Sequence, residues 1–340
     1  MMGERRNPRV GVISNSNLQR LALSQAVKGH GYELSLNSSF DRLDDAALGA
    51  SDLDVLLVDM QDEDDDFLDR VLEHTEAPIL FGLEVAPPQG TRQYPRWERR
   101  VFVKLQETVG EPVLNEHLEA LEEAPAPVPH ETIKLSQELV KRAAGDELEV
   151  VCVIAASLGG PAAVKDFLDC LPKGLPVAFV LAQHIDARMQ DTLAHVLVRH
   201  NGMPCKVAEA GDRLKHGELL IAPVATEIDF GLAGDVVVRN QKWDGPYSPS
   251  IDQVIANITR RFGRRSGALI FSGMGGDGSI SGPLMQDAGG FIWGQTAESC
   301  ACSSQPDSMR STGCVTFNGT PADLARHLVE HVQALIATAA

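Results

Sequence analysis

The sequence is short of several things. It has no uncharged run approaching the roughly 18 residues that a membrane-crossing helix needs, so it is predicted not to insert into a bilayer. Basic residues are scarce: 30 Lys and Arg stand against 47 Asp and Glu, a formal charge of −17. Phosphate and anionic lipid surfaces demand concentrated positive charge, so a nucleic-acid partner is excluded and basic or mixed protein surfaces are expected instead. The six cysteines, Cys152, Cys170, Cys205, Cys300, Cys302 and Cys314, include no CxxC pair, and no histidine stands at zinc-ligand spacing from them. No metal is therefore expected, and the thiols read as reduced and structural. The opening MMGERRNPRVGV lacks a signal-type apolar core and a small-residue cleavage site, which predicts a cytoplasmic location.

What is present is an ordinary globular composition, 44% apolar and 23% charged, over 340 residues, a length that suggests two domains. Through the first hundred residues, RVGVI, YELSLN, DVLLVDM, APILFGL and VFVKL alternate with amphipathic stretches, the pattern of a βαβα chain with a parallel sheet. Residues 1–108 are read as this first domain. Residues 109–147, with an Ala-Pro-Val-Pro segment between acidic, helix-prone pieces, are read as a linker. From residue 148 to residue 340 a second alternation follows, with VVCVIAA and VAFVLA unbroken by polar residues, as in strands buried on both faces. The expected fold is α/β throughout: a parallel-sheet domain, then a doubly wound α/β domain with a β-hairpin near 219–238.

In the second domain three predicted strands end on chemically capable residues. Ser157 follows VVCVIAA, His184 follows VAFVLAQ, and Asp277 follows ALIFSGMGG. Strand C-terminal ends share one edge of such a sheet, so the three could meet as nucleophile, base and orienting carboxylate. Gly159, Gly160 and Pro161 suit a sharp strand-to-helix turn that aims backbone N–H groups beside Ser157. The amide of Met274, in SGMGGDGS, could add a hydrogen bond to a developing oxyanion. Each residue also has a plainer reading: Ser157 as a turn or cap residue, His184 as a structural histidine, and Asp277 as a turn residue or a ligand for a metal or phosphate.

VIAASLGGP, AQHID, GELLIAP, PSID, SGMGGDG and AGGFIWGQTAESC resemble, in order, the signature segments of the CheB-type protein-glutamate methylesterases of chemotaxis. The resemblance covers residues 148 to about 320. It implies Ser157 as nucleophile, His184 as base, Asp277 as orienting carboxylate, and the Leu158 and Met274 amides as oxyanion donors. It further implies a γ-glutamyl methyl ester on a methyl-accepting chemoreceptor as substrate, deamidation of receptor glutamines by the same chemistry, a chemosensory histidine kinase as a further partner, and no cofactor. Departures from the family pattern are Leu158, where a small polar residue is usual, IAPVATEID without the histidine often found there, and SSQPDSM in place of a Gly-Met-Pro segment.

The first domain is similar to a flavodoxin-like receiver, in degraded form. A working receiver carries an acidic pair after its first strand, a phosphorylated Asp after its third, a Ser or Thr after its fourth and a Lys after its fifth. Asp59 and Lys104 match two of these. Ser14 and Asn15 replace the acidic pair, and neither Gly82 nor Leu83 supplies the hydroxyl. Without those carboxylates Mg²⁺ loses its ligands, so Asp59 and Lys104 are expected to be remnants, although the acidic run from Asp62 to Asp66 could offer others. The readings competing with a methylesterase are a non-catalytic adaptor and a small-molecule serine esterase.

Overall fold

The computed structural model describes residues 6–44, 48–49, 52–60, 65–89, 91, 93–110, 112, 118–123, 135–145 and 147–339. The chain divides into two compact units, Met1–Leu114 and Asn115–Ala340.

In the first unit, β1 (Arg9–Ser14), β2 (Glu33–Ser38), β3 (Val55–Asp59) and β4 (Ile79–Leu80) form a sheet in the order β2-β1-β3-β4, and every pairing is parallel. Helix α1 (Asn17–Gly29) starts at Ser16, whose side chain accepts the Gln19 amide as an N-cap. Helix α2 (Asp65–His74) follows β3. One expectation fails. VFVKL is not a fifth strand but part of α3 (Tyr94–Val109), and Pro95 stands in its first turn. Tyr94, Trp97, Val101, Phe102 and Leu105 are buried at helical spacing. That period of three to four outweighs the β-branched look of the short apolar run.

The second unit is built on a seven-stranded sheet. Its strands are β5 (Val150–Ala156), β6 (Val177–Gln183), β7 (Cys205–Val207), β8 (Leu219–Ile221), β11 (Ser266–Ile270), β12 (Phe291–Gln295) and β13 (Phe317–Gly319), in the order β13-β12-β11-β5-β6-β8-β7. All pairings are parallel. Residues of β5 alternate between two cores. Cys152, Ile154 and Ala156 pack with Phe167, Leu193 and Leu328 on one face, and Val151, Val153 and Ala155 pack with Ile255 and Ile258 on the other. Both β5 and β6 are buried along their whole length, which accounts for their unbroken apolar sequences. The hairpin expected near 219–238 is confined to β9 (Ile228–Phe230) and β10 (Val236–Val238), an antiparallel pair beside the sheet, because Leu219–Ile221 pairs parallel with β6 and β7 as β8.

The stretch read as a linker does more than connect. Within it lie α4 (Leu118–Glu123) and α5 (Gln137–Ala143), and Leu118 and Leu139 are buried in the same core as Phe167 and Phe179. The Ala-Pro-Val-Pro segment itself is outside the described residues.

Chain order reverses between β5 and β11, neighbours in the sheet but far apart in sequence. At such a switch point the loops leave in opposite directions and open a crevice beyond the strand ends. Ser157 leaves β5 and the glycine-rich loop leaves β11, both at that crevice.

Candidate active site

Ser157 is fastened through its backbone. Its amide donates to Ser272 O at 3.1 Å and its carbonyl accepts from the Gly160 amide at 2.8 Å. The turn that follows depends on Gly159, at φ 72°, in the left-handed region that favours glycine. A Cβ there would also lie 2.5 Å from that of Ala301. Helix α6 (Gly160–Cys170) begins directly after this turn, so its first peptide groups flank the serine. The Ser157 side chain is buried, and its Oγ has no hydrogen-bond partner among the described residues.

His184 leaves the neighbouring strand β6 ahead of helix α7 (Gln190–Val198), and its amide donates to Ala156 O at 3.1 Å. A side chain that the sequence reading overlooked joins the two strand ends. Gln183 Nε2 donates to Ser157 O at 2.8 Å and to His184 O at 3.1 Å. Only its place before the histidine in AQHID hinted at this.

Asp277 meets the histidine from the β11 side, with 3.0 Å between His184 Nε2 and Asp277 Oδ2. The carboxylate is almost wholly buried. It accepts the Ile251 amide at 2.7 Å and the Asp252 amide at 3.1 Å. Those are the first two N–H groups of α8 (Ile251–Phe262), so the negative charge sits on the positive end of a helix. Asp252 repeats the device, its Oδ1 accepting the Ile280 and Ser281 amides ahead of α9 (Gly282–Asp287). Tyr247 stacks on the other side of the catalytic-type imidazole, with ring centroids 5.0 Å apart and planes 2° from parallel. Nothing in the sequence pattern singled out Tyr247.

The pairing decides which imidazole nitrogen is available. With Nε2–H donating to the carboxylate, Nδ1 is left as the basic nitrogen. Serine proteases use the opposite assignment, Nδ1 on the carboxylate and Nε2 on the serine.

The two backbone donors expected for an oxyanion, at Leu158 and Met274, are half-buried, and neither amide donates to any described residue. Gly273, next to Met274, is pinned by its amide to Cys302 O at 2.9 Å. Among the described residues no group of three His, Cys, Asp or Glu side chains could hold a metal. All six cysteines are free. Burial pushes the thiol of Cys205 up to about 12 and that of Cys300 up to about 11, so both stay protonated near neutrality.

The receiver-like residues meet only in part. Ser14 and Asp59 are register partners on β1 and β3, and Ser14 Oγ donates to Asp59 Oδ2 at 2.8 Å. Asn15 Oδ1 accepts the Phe40 amide instead of facing Asp59. Lys104, on a helix and not after a strand, donates to Gly82 O at 2.8 Å and Phe81 O at 3.3 Å. Of the acidic run, residues 62–64 are outside the described residues.

With the geometry in view, comparison with known proteins is specific. The family model for the CheB methylesterase matches residues 152–328, which contain Ser157, His184 and Asp277. The chain belongs to that family. A protein-glutamate methylesterase/protein-glutamine glutaminase of Saccharophagus degradans is 30% identical over 161 residues, 47% of this chain and 44% of that one. Its counterpart in Geobacter sulfurreducens is 33% identical over 183 residues, 53% and 49% of the two chains. The match to this CheB-family chain thus spans about half the length of these curated relatives. The CheB methylesterase catalytic domain of Thermotoga maritima shares the fold, with a TM-score of 0.51 and 24% identity over 53% of this chain and 97% of its own. No helix among the described residues is long and apolar enough to cross a membrane.

Proposed function

We propose that the chain is a protein-glutamate methylesterase that hydrolyses γ-glutamyl methyl esters on a methyl-accepting chemoreceptor. The observation that carries this is the buried 3.0 Å His184–Asp277 pair at the strand end beside Ser157. In this reading Nδ1 of His184 takes the Ser157 proton while Oγ attacks the ester carbonyl. The carbonyl electron pair moves onto oxygen, where the Leu158 and Met274 amides stabilise it. On collapse the C–OCH₃ bond breaks, and methanol leaves with the proton from His184. Water, deprotonated by the same histidine, then releases the glutamate side chain. Asp277 holds the ring and balances the imidazolium. A glutamine side chain would follow the same route with ammonia as leaving group.

Residues 1–108 act as a pseudo-receiver in this reading and residues 148–340 as the catalytic domain, working in the cytoplasm with a chemosensory kinase upstream. Ser14 in contact with Asp59, where a receiver would place a metal-binding carboxylate, supports control by something other than phosphorylation of Asp59.

Methanol release from methyl-labelled chemoreceptor membranes tests the activity. Wild type should release methanol and Ser157→Ala should not. Equal background from both rejects the reading, and turnover of simple alkyl esters without any release from receptor would favour a small-molecule esterase.

A further inference from the structure

One polar group beside the nucleophile is left unused by this chemistry. Gln305 lies in the first turn of α10 (Ser304–Ser311), and its side chain is fully buried. The backbone amide is satisfied, donating to Gly273 O at 3.0 Å. Both side-chain atoms, Oε1 and Nε2, are buried without a partner. Their location is specific: a Cβ built on Gly273 would lie 1.9 Å from Gln305 Oε1 and 3.0 Å from Ser157 Cβ. The carboxamide therefore fills the side of Gly273 that faces the nucleophile, one residue before the unpaired Met274 amide. Ser157 Oγ, one bond from that Cβ, is also buried and unpartnered.

A buried carboxamide with both ends unmet is costly, because the group has lost water and gained nothing. Which end is nitrogen is set by the surrounding hydrogen bonds, and here no described protein atom sets it, so either end can face the serine. The polar atoms that arrive beside Ser157 during turnover are those of the reacting acyl group.

We propose that Gln305 is a further catalytic residue, donating through Nε2 to the acyl oxygen as it becomes negative. This rests on the esterase reading above. As the Ser157 Oγ–C bond forms, the carbonyl π pair moves onto oxygen and the Nε2–H bond shortens toward it, joining the Leu158 and Met274 amides. When the intermediate collapses the pair returns, the C–OCH₃ bond breaks, and the carboxamide is released unchanged. A donor that gains its partner only in the transition state raises kcat and leaves KM alone.

The test replaces Gln305 with methionine, which has similar length and no donor. In methanol release from methyl-labelled receptor membranes, Gln305→Met should lower kcat by about 10- to 100-fold with KM within about twofold. Labelling of Ser157 by a fluorophosphonate, followed by intact mass, should slow by a similar factor, because its phosphoryl oxygen takes the same place. The thermal midpoint should hold or rise, since an unmet buried amide has been removed. Unchanged kcat and labelling would overturn the proposal and leave Gln305 a bystander, satisfied by trapped water. Loss of activity with a lowered thermal midpoint, or a raised KM at constant kcat, would overturn it in favour of packing or substrate docking. Ser157→Ala, run alongside, separates the two levels: if it matches wild type the esterase reading fails, and if it is dead while Gln305→Met matches wild type only this inference fails.

Discussion

At the end of β5 a serine is gripped by backbone hydrogen bonds on both sides, and at the end of the neighbouring strand a histidine is paired with a helix-anchored carboxylate. At the end of β3 Asp59 has the Ser14 hydroxyl on it, while Asn15 and Lys104 are engaged with other backbone groups. Both are strand ends of parallel sheets, where chemistry is expected to gather. The difference lies in their partners. The second-unit site has its histidine and carboxylate joined to each other and held by neighbours in the fold, whereas in the first unit Asp59 meets a hydroxyl and no second carboxylate among the described residues.

The sharpest way to break this comparison is to remove the candidate nucleophile. Ser157→Ala should lower methanol release by about 10⁴-fold or more, and any large residual rate would mean the β5 serine is not the nucleophile. Asp277→Asn comes next, at roughly 10³- to 10⁴-fold in kcat. The amide cannot serve both the Ile251 and Asp252 N–H groups and His184 Nε2–H as acceptor, so the imidazole loses its orientation. Tyr247→Ala should cost about threefold to tenfold, the scale of one aromatic stack, measured as kcat on the same membranes.

Two smaller effects belong to the first unit. Burial pushes the Glu98 carboxyl up to about 7. A carboxyl raised in the folded state contributes stability that is complete below its unfolded value near ~4.3 and is lost as pH rises through 7. Hydrogen exchange over residues 97–105 should therefore quicken between about pH 5 and about pH 8, beyond its intrinsic dependence, and Glu98→Gln should flatten that trend. The smallest expected effect is none: a small phosphodonor with Mg²⁺ should leave Asp59 unmodified by intact mass. Stoichiometric labelling would place the N-terminal unit on the same footing as the second.

Much of this was legible in the sequence for a physical reason. Strands buried on both faces write themselves as continuous apolar runs, so β5 and β6 and the residues just after them stood out. The glycines of the β11 loop announced close backbone approach. What stayed hidden depends on contacts between distant segments. Gln183 clamping two carbonyls, Tyr247 stacked on His184 and Gln305 buried against Gly273 carry no local pattern, because glutamine and tyrosine are unremarkable on any surface. VFVKL misled because five residues cannot distinguish a strand from one face of a sixteen-residue helix whose other contacts, Tyr94 and Trp97, lie upstream. The helices within the expected linker were anticipated as acidic, helix-prone pieces, but the packing of Leu118 and Leu139 into the second unit's core was not.

The setting of Asp277 has a consequence for how this protein would respond to salt. Among the described residues Asp277 is held by peptide N–H groups at a helix end and by His184 and not by a lysine or arginine, and the carboxylate is nearly inaccessible to solvent. Mobile ions screen exposed charges across water, and they have little purchase on a buried anion held by amides. The bond-breaking steps should then be nearly indifferent to ionic strength, while approach to a receptor by a molecule of net charge −17 should not be. Varying sodium chloride would thus separate encounter from catalysis without altering a single residue.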